Sequence, residues 1–175
     1  PHETIYVFDE AHSLAAKAVE HFSARHALRG AMEWLEGACN AVRDAVLGLR
    51  LDEQLIRDSR ASAGSMERAL RDLHSRIHGT NGFEEKRARR FRSGPLPDWC
   101  KSAGGQVLAA GEELQKTFAS LREHVLERAP SVGALATQVL SVLGFYVVRL
   151  DNLVDTWQLM LTEQPEGSPP IARWI

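Results

Sequence analysis

The chain has 175 residues, 44% of them hydrophobic and 25% charged, a balance that supports a buried core and excludes an intrinsically disordered polypeptide. The formal net charge is −2, so no global positive field draws the chain to nucleic acid, and any such contact has to come from a local cluster. Two cysteines, Cys39 and Cys100, stand far apart and outside any CxxC spacing, which argues against a zinc site or a disulfide framework and fits a reducing, cytoplasmic setting.

The first residues carry no basic n-region, and no uninterrupted apolar run reaches the roughly 18 residues of a membrane span, so no membrane partner is expected. The chain opens without methionine and enters an apolar run almost at once, which is how a piece of a longer protein reads. Residues 4–8 form a short β-branched and aromatic run, the pattern of a fully buried strand in a parallel sheet. It ends on Asp9-Glu10-Ala11-His12, and chemistry in open parallel sheets sits at that end of the strand. One carboxylate there can hold Mg²⁺ while its neighbour orients and deprotonates a water attacking a γ-phosphate. The plain alternative is an acidic strand terminus that caps the next helix.

From Ser13 onward the pattern is helical. Leu28, Met32, Leu35, Cys39, Val42, Val46 and Leu49 step by four and three residues, which predicts one continuous apolar stripe with Cys39 as a buried structural thiol. A second stripe runs through Met66, Leu70, Leu73 and Ile77, and Gly79-Thr80-Asn81-Gly82 ends it. His74 and His78 share a face of that helix and read as a surface pair, since no third metal ligand accompanies them. Lys86, Arg87, Arg89, Arg90 and Arg92 then surround Phe91, a cationic cluster with an interleaved aromatic of the kind that holds single-stranded DNA through phosphate contacts and stacking; the plain alternative is solvated surface beside Glu84 and Glu85.

After the Ser93-Gly94-Pro95-Leu96-Pro97 break a third stripe takes in Val107, Leu114, Phe118, Leu121 and Val125, interrupted at Gly111. Ala129-Pro130-Ser131 is expected to separate it from the last helix, with Ser131 as the cap. Leu135, Val139, Val142, Tyr146, Leu150, Leu153 and Trp157 form the fourth and most apolar stripe, a linker follows over 164–170, and Ile171-Ala172-Arg173-Trp174-Ile175 reads as a short strand. Trp34, Trp99 and Trp157 are expected in the core. Such helices must pack their seams together, which predicts a mainly α fold built as a four- or five-helix antiparallel bundle flanked by two short strands.

The string Ile5-Tyr6-Val7-Phe8-Asp9-Glu10-Ala11-His12, followed by Ser13-Leu14, resembles the DEAH-type Walker B motif of superfamily 2 helicases. Within them the layout is similar to the DinG/XPD-like iron–sulfur DNA helicase family, in particular its bacterial DinG and YoaA-type branch, in which a helical arch domain follows this motif before the chain re-enters the motor sheet. The resemblance implies residues 1–12 as the edge of a truncated RecA-like α/β motor domain, 13–168 as an arch-like insertion and 169–175 as the return strand. It implies that Asp9 coordinates Mg²⁺, that Glu10 is the catalytic base for ATP hydrolysis and that His12 couples hydrolysis to movement on DNA. ATP and Mg²⁺ would serve the intact enzyme. An iron–sulfur cluster, if the intact enzyme keeps one, would be ligated upstream of this segment, not by Cys39 or Cys100. No Gly-Lys-Ser/Thr loop occurs in the chain, so by itself it is expected neither to bind ATP well nor to hydrolyse it.

The implied function is that of an ATP-dependent DNA helicase acting in repair or replication in a bacterial cytoplasm, with the arch guiding or clamping single-stranded DNA beside the motor. The alternative is a protein-docking module that recruits the motor to a repair or replication partner through an exposed helix face.

Overall fold

The computed structural model describes Ser13, Lys17, Phe91 and residues 23–79, 96–163 and 172–175. Among them four long helices follow one another: α1 (Leu28–Leu49), α2 (Gln54–His78), α3 (Asp98–Val132) and α4 (Ala134–Leu161). Each packs on its neighbours in a ring, α1 on α2 and α4, α3 on α2 and α4, with little contact across the α1–α3 diagonal. The packing is antiparallel, because contacts between helices pair rising with falling residue numbers. Gly104 lies against Trp157 and Gly111 against Val154, Gln115 donates to the Asp151 carboxylate at 2.6 Å, and Ser62 meets Thr117 at 3.1 Å.

The first stripe holds as read, and α1 begins and ends on its outermost leucines. Its buried centre, however, runs through Ala31, Leu35, Ala38, Val42, Ala45 and Leu49, while Met32 and Cys39 sit at the margin. Alanines at seven-residue intervals let the neighbouring helices approach closely, so the seam is one column over from the large side chains. The short link to α2 turns on Arg50, whose left-handed φ of 53° lets the Leu51 N–H reach back to the Val46 carbonyl at 2.9 Å. Asp52 then accepts the Gln54 N–H at 2.8 Å. All four residues of the second stripe are buried, and α2 ends at His78 with the Gly79 N–H on the Ser75 carbonyl at 2.8 Å.

Three expectations are corrected. Pro130 does not separate α3 from α4: the helix runs on to Val132, and Ser131 donates back to the Arg128 carbonyl at 2.8 Å instead of capping α4. A proline in a last turn forfeits one backbone bond near solvent, and the corner falls on Gly133, whose φ of 47° suits glycine. The fourth stripe is also re-aimed, because α4 buries Ala136, Leu143, Leu150, Leu153, Val154 and Trp157 and leaves Leu135 and Val142 exposed. The two flanking strands are not seen among the described residues, where Trp174 makes only an isolated bridge; the first strand falls within 1–12, which lie outside them.

Though no uninterrupted apolar run is long enough, α4 is the one helix among the described residues that by length and composition could cross a membrane. The polar residues in its first half are the uncharged Thr137, Gln138 and Ser141, so they lower its hydropathy little. Its inner face belongs to the bundle core.

Two adjacent glycines in α3 illustrate how packing overrides propensity. A Cβ on Gly104 would stand 2.6 Å from the Trp157 ring, whereas one on Gly105 would meet nothing described within 4 Å. Gly104→Ala should therefore destabilise the bundle by about 1–3 kcal/mol through overpacking, and Gly105→Ala should stabilise it by about 0.5–1 kcal/mol through helix propensity. Urea unfolding of the two variants should show midpoints displaced in opposite directions.

Candidate functional site

The segment leading into α1 and the C-terminal segment come together at one end of the bundle. The approach to α1, the last turns of α2 and α4, and the terminal Trp174 and Ile175 line one hollow of about 470 Å³. The C-terminal segment is fastened there by Arg173, which is buried, donates from its guanidinium to the Thr162 carbonyl at the end of α4, and accepts the Phe91 N–H on its own carbonyl at 3.0 Å. Trp157 forms the buried floor, while Trp174 is 48% exposed.

The hollow is basic. Arg25, Arg29, His26, His74 and His78 contribute to its walls, and no Asp or Glu does so among the described residues. The His74 and His78 rings lie 4.3 Å apart, one turn from each other on α2, as their spacing predicts. Burial, then the neighbouring His78 and Arg29, pull His74 below its ordinary value. Burial does the same to His26, whose Nε2 is enclosed without a hydrogen-bond partner among the described residues. The start of α1 has no side-chain cap among those residues and no acidic residue in its first turn, so its unpaired N–H groups add positive potential.

Of the residues the sequence singled out, Asp9, Glu10, His12, Lys86, Arg87, Arg89, Arg90 and Arg92 lie outside the described residues. Phe91 is described, and it corrects the expectation of a stacking aromatic: its side chain is 9% exposed and belongs to the apolar core, so the ring is not presented to a base. No group of three or more His, Cys, Asp or Glu side chains among the described residues could hold a metal ion. Cys100 is fully buried and its thiol is pushed up to about 11, with burial the cause; Cys39, at the margin of the core, is also raised, mainly by burial. A thiol raised in this way is a poor nucleophile at neutral pH. Because its folded value exceeds the ordinary 9.0, the stability tied to protonated Cys100 is present below pH 9 and is lost as pH rises toward 11.

The basic hollow went unread in the sequence. Its signal was there, since Ser23-Ala24-Arg25-His26-Ala27-Leu28-Arg29 carries two arginines and a histidine without an acid, just before a helix. The partners from α2 and the C-terminal segment are some 50 to 150 positions away, and nothing local announces them.

A chain-long likeness to a known protein points to the helicases, the class that hydrolyses ATP to act on DNA. The relative is the ATP-dependent DNA helicase DinG of Photobacterium profundum, 26% identical over 184 aligned positions that take in 100% of this chain and 26% of the relative. The chain thus spans about a quarter of the length of the curated relative it matches. No family model matches the chain, and no solved structure matches it significantly. At this identity the likeness supports a DinG-like, helicase-related chain.

Proposed function

We propose that the chain is the arch-like helical insertion of an ATP-dependent DNA helicase of the DinG kind, together with the motor strand that carries the Asp9-Glu10-Ala11-His12 motif. The observation that carries this reading is the end-to-end likeness to DinG, which includes the whole bundle and not the acidic motif alone. The meeting of the approach to α1 with the C-terminal segment at one end of the bundle supports it, because an inserted domain has to leave its host near where it entered.

In this reading Asp9 and Glu10 close one side of a nucleotide site whose phosphate loop belongs to the rest of the helicase. Asp9 holds the magnesium ion, and Glu10 takes the proton of the attacking water. Bound Mg²⁺ supplies charge neutralisation on the phosphates. His12 passes the state of the site to the DNA-contacting elements. The bundle guides the single strand beside the motor, with Lys86, Arg87, Arg89, Arg90 and Arg92 as phosphate contacts, in a bacterial cytoplasm during repair or replication. The test is ATP hydrolysis by the whole helicase with and without single-stranded DNA. Stimulation by the strand is expected, and a protein with no ATP turnover under either condition would sink the reading.

One observation favours docking of a repair or replication protein as a second reading. The outward face of α4 presents Leu135, Val142, Phe145 and Val148, all at least 40% exposed, along a stretch without a charged residue.

A further inference from the structure

Of the four neighbouring helix pairs, α1 and α4 make the sparsest contact, and a groove runs along their seam. Two hollows of about 510 and 530 Å³ lie end to end in it and share Gly37 and Tyr146. The α4 wall presents Leu135, Gln138, Val142, Phe145 and Arg149, and the α1 wall presents Glu33, Gly37, Asn40 and Asp44. Both sets step by three and four residues, the spacing with which one helix meets another, and the α4 set extends over about 21 Å, or roughly four turns. Gly37 and Ala41 keep the α1 wall low, so a backbone can come close. The half of the groove from Gly37 to Leu135 lies toward the α3–α4 corner, away from the end at which an inserted domain would join its host.

The charges along the groove are one-sided. From Ala134 to Val148 α4 carries no charged residue, and between Gly30 and Val42 α1 carries Glu33 and Glu36 and no basic residue. Asp44 is bonded by Arg43 at 2.9 Å, and Arg149 stacks on the Phe145 ring at 3.5 Å, whereas Glu33 has no partner among the described residues. A surface that complements these walls is apolar against α4 and cationic toward Glu33. We propose that the groove takes an amphipathic helix of a partner protein, about four turns long, whose apolar stripe rests on Leu135, Val142 and Phe145 and whose lysine or arginine side chains face Glu33. A second copy of this chain fits less well. Its α4 has an exposed apolar stripe but Arg149 as its only basic residue, and the arginines of α2 flank a stripe that is buried. The inference rests on the docking reading of the α4 face and adds to it the place, shape and charge of the partner.

The experiment uses two labelled, alanine-based helical peptides of about 16 residues with leucine at alternating three- and four-residue steps, one flanked by lysines and the other by glutamates in the same places. Binding to the 175-residue chain and to the whole helicase is followed by fluorescence anisotropy. The lysine peptide should bind both, about 5-fold or more tightly than the glutamate peptide. Val142→Glu should weaken it about 10-fold or more, because a charge enters the centre of an apolar contact. Glu33→Lys should weaken it about 2- to 5-fold and remove most of the preference over the glutamate peptide. Val148→Glu, on the outward face of α4 but outside the groove walls, should leave binding unchanged. All three positions are exposed, so unchanged circular dichroism and melting should accompany these results. No binding by either peptide, equal binding of the two, or indifference to Val142→Glu overturns the proposal. A response to Val148→Glu in place of Val142→Glu overturns the groove but leaves docking on the α4 face standing, whereas insensitivity to every one of these substitutions removes the docking reading as well. Binding by the chain that the whole helicase lacks would mean that the rest of that protein covers the groove, and dimerisation of the free chain that Val142→Glu abolishes would assign the groove to a second copy; either result overturns a partner helix.

Discussion

On the proposed helicase reading, Glu10→Gln should lower the ATP turnover of the intact protein by about 10²- to 10⁴-fold while leaving KM for ATP close to its original value. The amide keeps the size and hydrogen-bonding reach of the carboxylate but cannot take up the proton that the attacking water must lose. Ground-state binding of the nucleotide does not depend on that proton, so the loss falls on kcat. Asp9→Asn should behave differently, because a weaker metal ligand is partly compensated by more metal, and its activity should recover as Mg²⁺ is raised. Steady-state kinetics over a magnesium series separate the two. Turnover of Glu10→Gln within a few-fold of the original would remove Glu10 from the role of base and with it the motif reading of residues 5–12.

The second large effect is structural. Trp157 is 5% exposed and its ring fills the space left by Gly104, so Trp157→Ala should destabilise the bundle by about 3–5 kcal/mol, measured as a fall in the urea midpoint at unchanged slope. The two sites are coupled, because the alanine that clashes in Gly104→Ala clashes with the very ring that Trp157→Ala removes. The double variant should therefore be more stable than the sum of the single losses implies, with an interaction of about 0.5–3 kcal/mol. Additive losses would mean that the two side chains do not meet as described.

The acidic motif is a local signal: four apolar residues, two carboxylates and a histidine suffice to suggest phosphate chemistry, and they lie outside the described residues. Phe91 shows the limit of that kind of reading. An aromatic among five cations reads as a stacking group, yet its ring is taken into the core and its backbone is tied to a residue more than 80 positions away. The hollow assembled from Arg25, His74 and Trp174 has the same limit, since no single stretch contains enough of it to be noticed.

By itself the sequence determined that the chain would be mainly helical, where α1 and α2 would stop, and that the helices would close into an antiparallel bundle. The spacing of apolar side chains and the choice of glycine at a helix end act within a few turns, so they can be read without knowing any neighbour. Only the tertiary structure decided which of two adjoining columns of α1 would be sealed, how far α4 would turn Leu135 and Val142 outward, and that Pro130 would stay inside α3. These choices depend on the shape of the opposing helices, where alanine and glycine set how closely backbones approach, and on which contacts compensate one lost hydrogen bond. Those are properties of pairs of residues far apart in the chain, and folding has to bring them together before they exist.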